Sequence, residues 1–351
     1  MVPAHPPPAP ALGAGDPPPA PAPPPPPPRR RVACVAGFGP AGISMAAARR
    51  FGGAGFELAL LARRPERLAE GEERLRAAGI TARGFAVDLA DPSAVRAGLA
   101  AVARDLGPPE VLHWNPYNSL RPPLLQLPPE EVDSLMGVAV KGLLAAVQEL
   151  LPVWEAWAAE DGERQPPPQQ QQRQGQEQGQ APQQQQQQQQ QPAPPRRRPA
   201  LLVTGGGLAL PSSARLAVEY GVEGISIAKA AQHQAVACLR EALAPRGVFV
   251  GQVTVCATVR GTAWDGVRSS AEEEGDGGGG GAEEVGGGGG SKKQGAGGGG
   301  DGQQAEGEEK DEAAAGGPYV TPDEVADALW ALCDEQPAGD AWHVMLQGRA
   351  V

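Results

Sequence analysis

The chain has 351 residues, 49 glycines, 39 prolines and a formal net charge of −11. Twelve acids but three lysines fall between Ala271 and Gly317, so most of the excess negative charge sits in one glycine-rich stretch and the remainder is nearly neutral. That balance leaves no basic footprint for nucleic acid, and no unbroken apolar run reaches the roughly 18 residues of a membrane span.

Three segments carry too little apolar surface to offset chain entropy, and the sequence predicts disorder in them. They are the Pro-rich tail 1–30, the Gln/Pro-rich insertion 160–199 and the Gly/acid-rich insertion 266–317. Around them we expect a single domain over 31–348. The basic runs "PPRRR" and "PRRRP" read as solvated linker. The four cysteines show no metal spacing and read as buried, reduced thiols. The N-terminus lacks the apolar core of a secretory signal. A cytoplasmic location is the expectation, with a plastid one left open.

In chain order, "RVACVAG" (31–37) is a short apolar run ending in Gly, the pattern of a buried strand. "GISMAAARRFGGAG" follows as a helix with a Gly-rich stop, and "FELALLARR" (56–64) is a second strand. "PERLAEGEERLRAAG" (65–79) is an amphipathic helix with Pro near its start and Gly at its end. A third strand lies in 81–91, a helix at 92–106 and a fourth strand at 110–115. One long helix is predicted over 128–158. Residues 200–207 form a fifth strand, 214–245 a helix and 247–259 a sixth strand. A Thr-capped helix over 321–336 and a last strand at 341–348 close the chain. Such alternation predicts an α/β doubly wound, Rossmann-like parallel sheet of about seven strands, with ligands bound beyond the carboxyl ends of its strands.

The turn after the first strand reads Gly37-x-Gly39-x-x-Gly42. Gly37 suits the tight turn, Gly39 lets backbone approach a pyrophosphate, and Gly42 lets helix pack on strand. The following helix N-terminus, beginning at Gly42 and Ile43, offers N–H groups and a positive dipole end to phosphates. Arg63 and Arg64 end the second strand, where a carboxylate would hold a ribose 2′-hydroxyl. Glu57 opens that strand instead of ending it. Arginines there suit a 2′-phosphate, so NADP is favoured over NAD.

Taken in order, "GFGPAGISMAAARRFGGAGFELALLARRPERL", "VDLAD", "HWNPY", "LLVTGGGLAL" and "ISIAKAA" resemble the short-chain dehydrogenase/reductase superfamily over nearly all the folded segments. The resemblance implies an NADP(H)-dependent oxidoreductase acting on a carbonyl or alcohol. It assigns Gly37, Gly39, Gly42, Ile43, Asp88, Leu89, Asn115 and Lys229 to the cofactor. It also implies pairing into dimers or tetramers through long helices, for which "LLAAVQELL" is a candidate face, although the same stripe equally suits burial on the chain's own sheet. In the family, a Tyr four residues before the Lys exchanges a proton with substrate, a Ser on the fifth-strand loop polarises the carbonyl, and an Asn on the long helix anchors a relay. Here those positions hold Ile225, Gly205–Gly207 and Ala139, with Ser212 or Ser213 as alternatives for the Ser, and the glycine turn is offset by one residue at Ala41.

Of the three tyrosines, Tyr319 lies beyond the Gly tract and Tyr220 lies nine residues before Lys229. Tyr117, just past the fourth strand, is the best substitute acid, so Lys229 and Tyr117 are the candidate catalytic pair. His113 is expected inside its strand, and His233 to pack and not react. Beyond the sixth strand the Gly/acid tract offers little to enclose a substrate. Trp264 supplies what apolar cover there is, and the site is expected to be open. Two further readings are a catalytically silent dinucleotide-binding module, used for sensing or scaffolding, and an interaction protein with an inert Rossmann core. No nucleic-acid or membrane partner is expected, and the substrate stays undefined.

Overall fold

Seven parallel strands form one sheet in the computed structural model, which describes residues 30–117, 123–164, 197–262 and 318–349. The Pro-rich tail, most of the Gln/Pro insertion, the Gly/acid insertion and Trp264 lie outside the described residues. The strands are β1 (Val32–Ala36), β2 (Glu57–Ala62), β3 (Ala82–Ala86), β4 (Val111–Trp114), β5 (Ala200–Gly206), β6 (Phe249–Val255) and, last in the chain, β9 (His343–Leu346). Their spatial order is β3-β2-β1-β4-β5-β6-β9. The chain reverses its direction of travel between β1 and β4, which opens a crevice at their carboxyl ends.

β1 is buried at all five positions because helices cover both of its faces. Val32, Cys34 and Ala36 point into a core shared with α3 (Pro92–Asp105), α5 (Gly142–Arg164) and α7 (Glu223–Leu243), through residues such as Leu99, Leu143 and Val236. Ala33 and Val35 point to the other side, against α1 (Gly42–Gly53), α2 (Pro65–Ala77) and α8 (Pro322–Glu335), through Phe51, Leu75 and Leu329. Each large side chain so buried contributes about 1.5–3 kcal/mol. The "LLAAVQELL" stripe is spent here: Leu143, Val147 and Leu150 are in the core. A homodimer or homotetramer would therefore have to use the outward residues of these helices.

The amino end of the sheet is tied by polar pairs. Arg31 grips Glu110 with two hydrogen bonds, Nε to Oε2 at 3.1 Å and Nη2 to Oε1 at 2.8 Å. Gln336, left-handed at φ 43 after α8, accepts from Arg198 N–H at 3.0 Å, and its amide donates to the Arg198 carbonyl. Arg197 pairs with Asp334. These two arginines are exposed, yet they anchor the entry to β5 and are not the free linker expected of them.

Four other expectations change. The long helix over 128–158 is not continuous: α4 (Val132–Met136) passes into a π turn (Gly137–Lys141) before α5. The helix over 214–245 is broken into α6 (Ala214–Glu219) and α7 by Gly221 at φ 59. The sixth strand stops at Val255. Thr258–Val259 (β7) then pairs in parallel with Tyr319–Val320 (β8) in a separate two-stranded sheet. Cys238 is exposed and not buried. Residues 129–160 are, by length and composition, long and apolar enough to cross a membrane, but half of their apolar window is buried in this fold.

Candidate nucleotide site and the Lys229 crevice

The carboxyl ends of β1 to β4 and the π-turn helix border a cleft of about 450 Å³. Gly37, Arg63, Arg64, Asp88, Leu89, Asn115 and Tyr117 all line it. The sequence motifs on four separate strand ends thus converge on one place.

The first turn is held from both sides. Gly37 N–H and Phe38 N–H both donate to the Leu61 carbonyl at 3.0 Å, tying the turn to β2. Gly37 sits at φ 80, and a Cβ there would lie 2.6 Å from the Pro116 nitrogen. Only glycine fits, on conformation and on space. Gly42 is required for a different reason from the one expected. It has φ 70, and its missing side chain faces Thr262, 3.3 Å away, instead of a strand. Gly39 is unlike both: a Cβ there would meet nothing nearer than 3.8 Å. Internal packing leaves that side of the turn open, as a cradle for a ligand requires.

Ser44, which the sequence reading passed over, staples the turn. Its Oγ accepts from Gly39 N–H at 2.9 Å and donates to the Gly39 carbonyl at 3.2 Å. The Gly39 amide is therefore satisfied within the protein. The N-terminus of α1 has no side-chain cap and no acid in its first turn, so its N–H groups and positive end suit an anion. Ile43, in that first turn, packs on the core.

Arg63 and Arg64 are exposed at the cleft rim, and Arg67, one turn into α2, joins them. Arg67 was missed although "RRPER" places it three residues after Arg64, within one helical turn. Across the cleft, Asp88 Oδ1 accepts from Ala90 N–H at 3.0 Å and so shapes the loop after β3. Leu89 is buried beneath it. A Cβ at Gly142 would lie 2.0 Å from the Leu89 carbonyl, so the π-turn helix rests on this loop by way of a glycine. Asn115 is held by its backbone, N–H to the Ala36 carbonyl at 3.0 Å.

Lys229 stands beside a second, small crevice of about 10 Å³, room for about one water molecule. Tyr117, Val138, Ala139, Ile225, Ala228 and Gln232 line it with Lys229. The structure thus brings Tyr117 and Lys229 to one cavity, with Tyr117 47% exposed and bordering the large cleft too. Ile225 is buried in an apolar cluster with Ala217 and Val222, and Tyr220 packs on that cluster. Ser213 Oγ donates to its own loop, to the Gly207 carbonyl at 2.8 Å, and Ser212 is exposed. Neither serine lines the crevice.

The half-buried Lys229 donates through Nζ to the Thr204 carbonyl and to Gln232 Oε1, both at 2.9 Å. Desolvation lowers its pKa from 10.5 to about 8. Behind it, His113 is fully buried on β4, with Nε2 2.9 Å from Thr204 Oγ1. Burial first, and then the Lys229 charge, push its pKa down to about 3, so it is neutral and structural. His233 Nδ1 lies 2.8 Å from Gln252 Nε2, in a packed polar cluster that includes Thr254 and His343.

The Lys229 shift makes a prediction about stability. The folded value is below the unfolded one, so between about pH 8 and 10.5 the unfolded chain binds more protons, and wild-type stability rises with pH. The rise due to this group is about 2 kcal/mol after allowance for partial solvent screening. Lys229→Met removes it. Urea unfolding across that window is expected to show a steeper rise for wild type, and equal slopes would contradict the assignment.

Fold and cleft together have a Rossmann-like architecture, with an arginine rim on the cleft and a lysine in an adjoining crevice that shares Pro116, Tyr117 and Val138 with it. A family model for short chain dehydrogenases matches residues 31–163. No curated protein matches the chain in sequence. Among solved structures, the chain is similar to a metagenomic short-chain oxidoreductase in complex with NADP. The two share 18% identity over 92% of this chain and 97% of that one, with a TM-score of 0.54. It is also similar to the NADPH-bound short chain oxidoreductase from Pseudomonas aeruginosa described as containing an atypical catalytic center, at 18% identity over 91% and 97%, TM-score 0.57. A short-chain dehydrogenase/reductase from Serratia marcescens matches at 16% identity over 91% and 97%, TM-score 0.57. At these identities the structures attest the fold, and the family model attests a sequence match over residues 31–163. Residues 31–163 thus match the short-chain dehydrogenase family model, and the chain shares the fold of the solved short-chain oxidoreductases.

Proposed function

We propose that the protein is an NADP(H)-dependent oxidoreductase that transfers hydride to or from a small carbonyl or alcohol. The observation that carries this reading is the 450 Å³ cleft, where Gly37 and Phe38 at the start of the glycine turn meet the Arg63/Arg64/Arg67 rim, the Asp88–Leu89 loop and Asn115. The open face of Gly39 and the uncapped α1 N-terminus fit a pyrophosphate, and the arginines fit a 2′-phosphate. Two of the similar structures are described with NADP or NADPH bound, in keeping with that choice.

When bound, the nicotinamide supplies the hydride chemistry. The chain's own residues hold and orient it. Lys229 presents an ammonium in the crevice adjoining the cleft, and Tyr117, bordering both cavities, is the proton donor or acceptor for the substrate oxygen. The Tyr117 hydroxyl gives its proton to the forming alkoxide in reduction and takes it back in oxidation.

One observation favours the silent-module reading. Ile225 and Ala139 make the Lys229 crevice largely apolar, and Ser213 is turned into its own loop. The two readings part on turnover. Incubation with NADPH or NADH and a panel of aldehydes and ketones is expected to show NADPH-linked reduction. Arg67→Ala should narrow the NADPH-over-NADH preference by about tenfold, the loss of one charge-assisted pair. NADPH binding with no turnover on any carbonyl would favour the silent module.

A further inference from the structure

Gln232 lies one turn after Lys229 on α7 and is 1% exposed. A buried amide is costly unless both its ends are paired. Here both are. Its Oε1 accepts from Lys229 Nζ at 2.9 Å, and its Nε2 donates to the Ala139 carbonyl at 3.4 Å, a long bond. One side chain therefore joins the lysine to the π turn.

That carbonyl lies in the π turn. A regular α-helix would commit it to an amide four residues on, whereas a π turn shifts the ladder to a spacing of five. The neighbouring carbonyl, Val138, is also used by a side chain and accepts from Trp114 Nε1 at 3.0 Å. Successive carbonyls thus serve β4 and α7. The opposite edge of the same turn rests on the cleft wall. A Cβ at Gly137 would lie 3.1 Å from Ala90 Cβ, and one at Gly142 would lie 2.0 Å from the Leu89 carbonyl. These glycines are five residues apart, one π turn, so they share a face.

We propose that Gln232 is a positioning residue, which fixes the Lys229 ammonium to the π turn and through it to the Leu89–Ala90 wall of the nucleotide cleft. Without Gln232 the ammonium keeps the Thr204 carbonyl as its remaining described acceptor and loses its register to the cleft. The consequence for cofactor binding rests on the NADP(H) reading, but the anchoring of the lysine does not.

The test follows that division. The chain has five lysines, so the Lys229 resonance can be assigned in protein carrying 13C-labelled lysine by comparison with Lys229→Arg. The titratable groups facing Lys229 are His113, neutral across the range, and Tyr117. Gln232→Met removes the acceptor and is expected to lower the Lys229 titration midpoint by about one pH unit. Gln232→Glu puts a carboxylate beside the ammonium and is expected to raise the midpoint by a similar amount. It also gives up the donor to Ala139, so both variants should bind NADPH about tenfold more weakly at neutral pH, read by nucleotide fluorescence. Should Gln232→Met not fold, the rise in Gln232→Glu still decides the matter. Midpoints unmoved in the folded variants overturn the proposal, whatever the affinities. Midpoints moved in opposite directions, in a wild type that binds no NADPH, support the anchoring and overturn the nucleotide reading instead.

Discussion

Tyr117→Phe is expected to slow carbonyl reduction by about 10²–10⁴-fold while leaving NADPH affinity nearly unchanged. Its place follows from the packing beneath it. Gly37 has no side chain, so the first turn closes onto the Pro116 backbone, where a Cβ would lie 2.6 Å from the Pro116 nitrogen. Pro116 is buried, and Tyr117 is the next residue, exposed and bordering both the large cleft and the Lys229 crevice. The position at which the resemblance to short-chain dehydrogenases would put the acid is Ile225, buried and without an exchangeable proton. Phenylalanine keeps the ring and removes the hydroxyl, so the variant separates proton transfer from shape. Steady-state kinetics is the check. A fall in kcat/KM with intact NADPH binding is the predicted result, and unchanged turnover would remove Tyr117 from the chemistry.

Gly142→Ala is expected to destabilise the fold by about 3 kcal/mol or more and to disturb the cleft at the same time. The added methyl would fall 2.0 Å from the Leu89 carbonyl, a backbone atom that no rotamer change can move aside. Helix α5 would have to lift off the loop after β3, taking Asp88 and Leu89 with it. Gly53→Ala is the control. It ends α1, has nothing within 4 Å of the added Cβ, and is expected to be neutral or stabilising. Urea unfolding of both variants, followed by circular dichroism, compares the two. Equal stabilities would mean that the π-turn helix does not rest on that loop.

The parallel sheet was legible because its strands are buried on both faces and read as unbroken apolar runs, as in "RVACVAG" and "ALLVTGGG". Gly37, Arg63, Asp88 and Asn115 could be placed because each stands at the end of such a run, and strand ends meet at one edge of a parallel sheet. The missed features lack a local signature. No residue pattern announces the π turn at Gly137–Lys141; around it Gly142 approaches Leu89 while Trp114 and Gln232 bond the Val138 and Ala139 carbonyls, contacts that come from distant parts of the chain. Gln232 itself looked like an ordinary polar residue on an amphipathic helix, and its burial depends on contacts from β5 and the long helix. Ser44 and Arg67 were within reach of local reasoning, since each lies within one helical turn of a residue already singled out. The break at Gly221 was masked by the apolar spacing that continues across it.

Binding of NADP(H) in the cleft, as proposed, is tested most directly by a fluorescence titration of the protein with NADPH. Micromolar binding is expected, weakened by Arg63→Ala at the rim and by Lys229→Ala in the adjoining crevice. Failure to bind either NADPH or NADH would mean that the glycines of residues 37–42 form a turn and nothing more, and the oxidoreductase reading would fall with it.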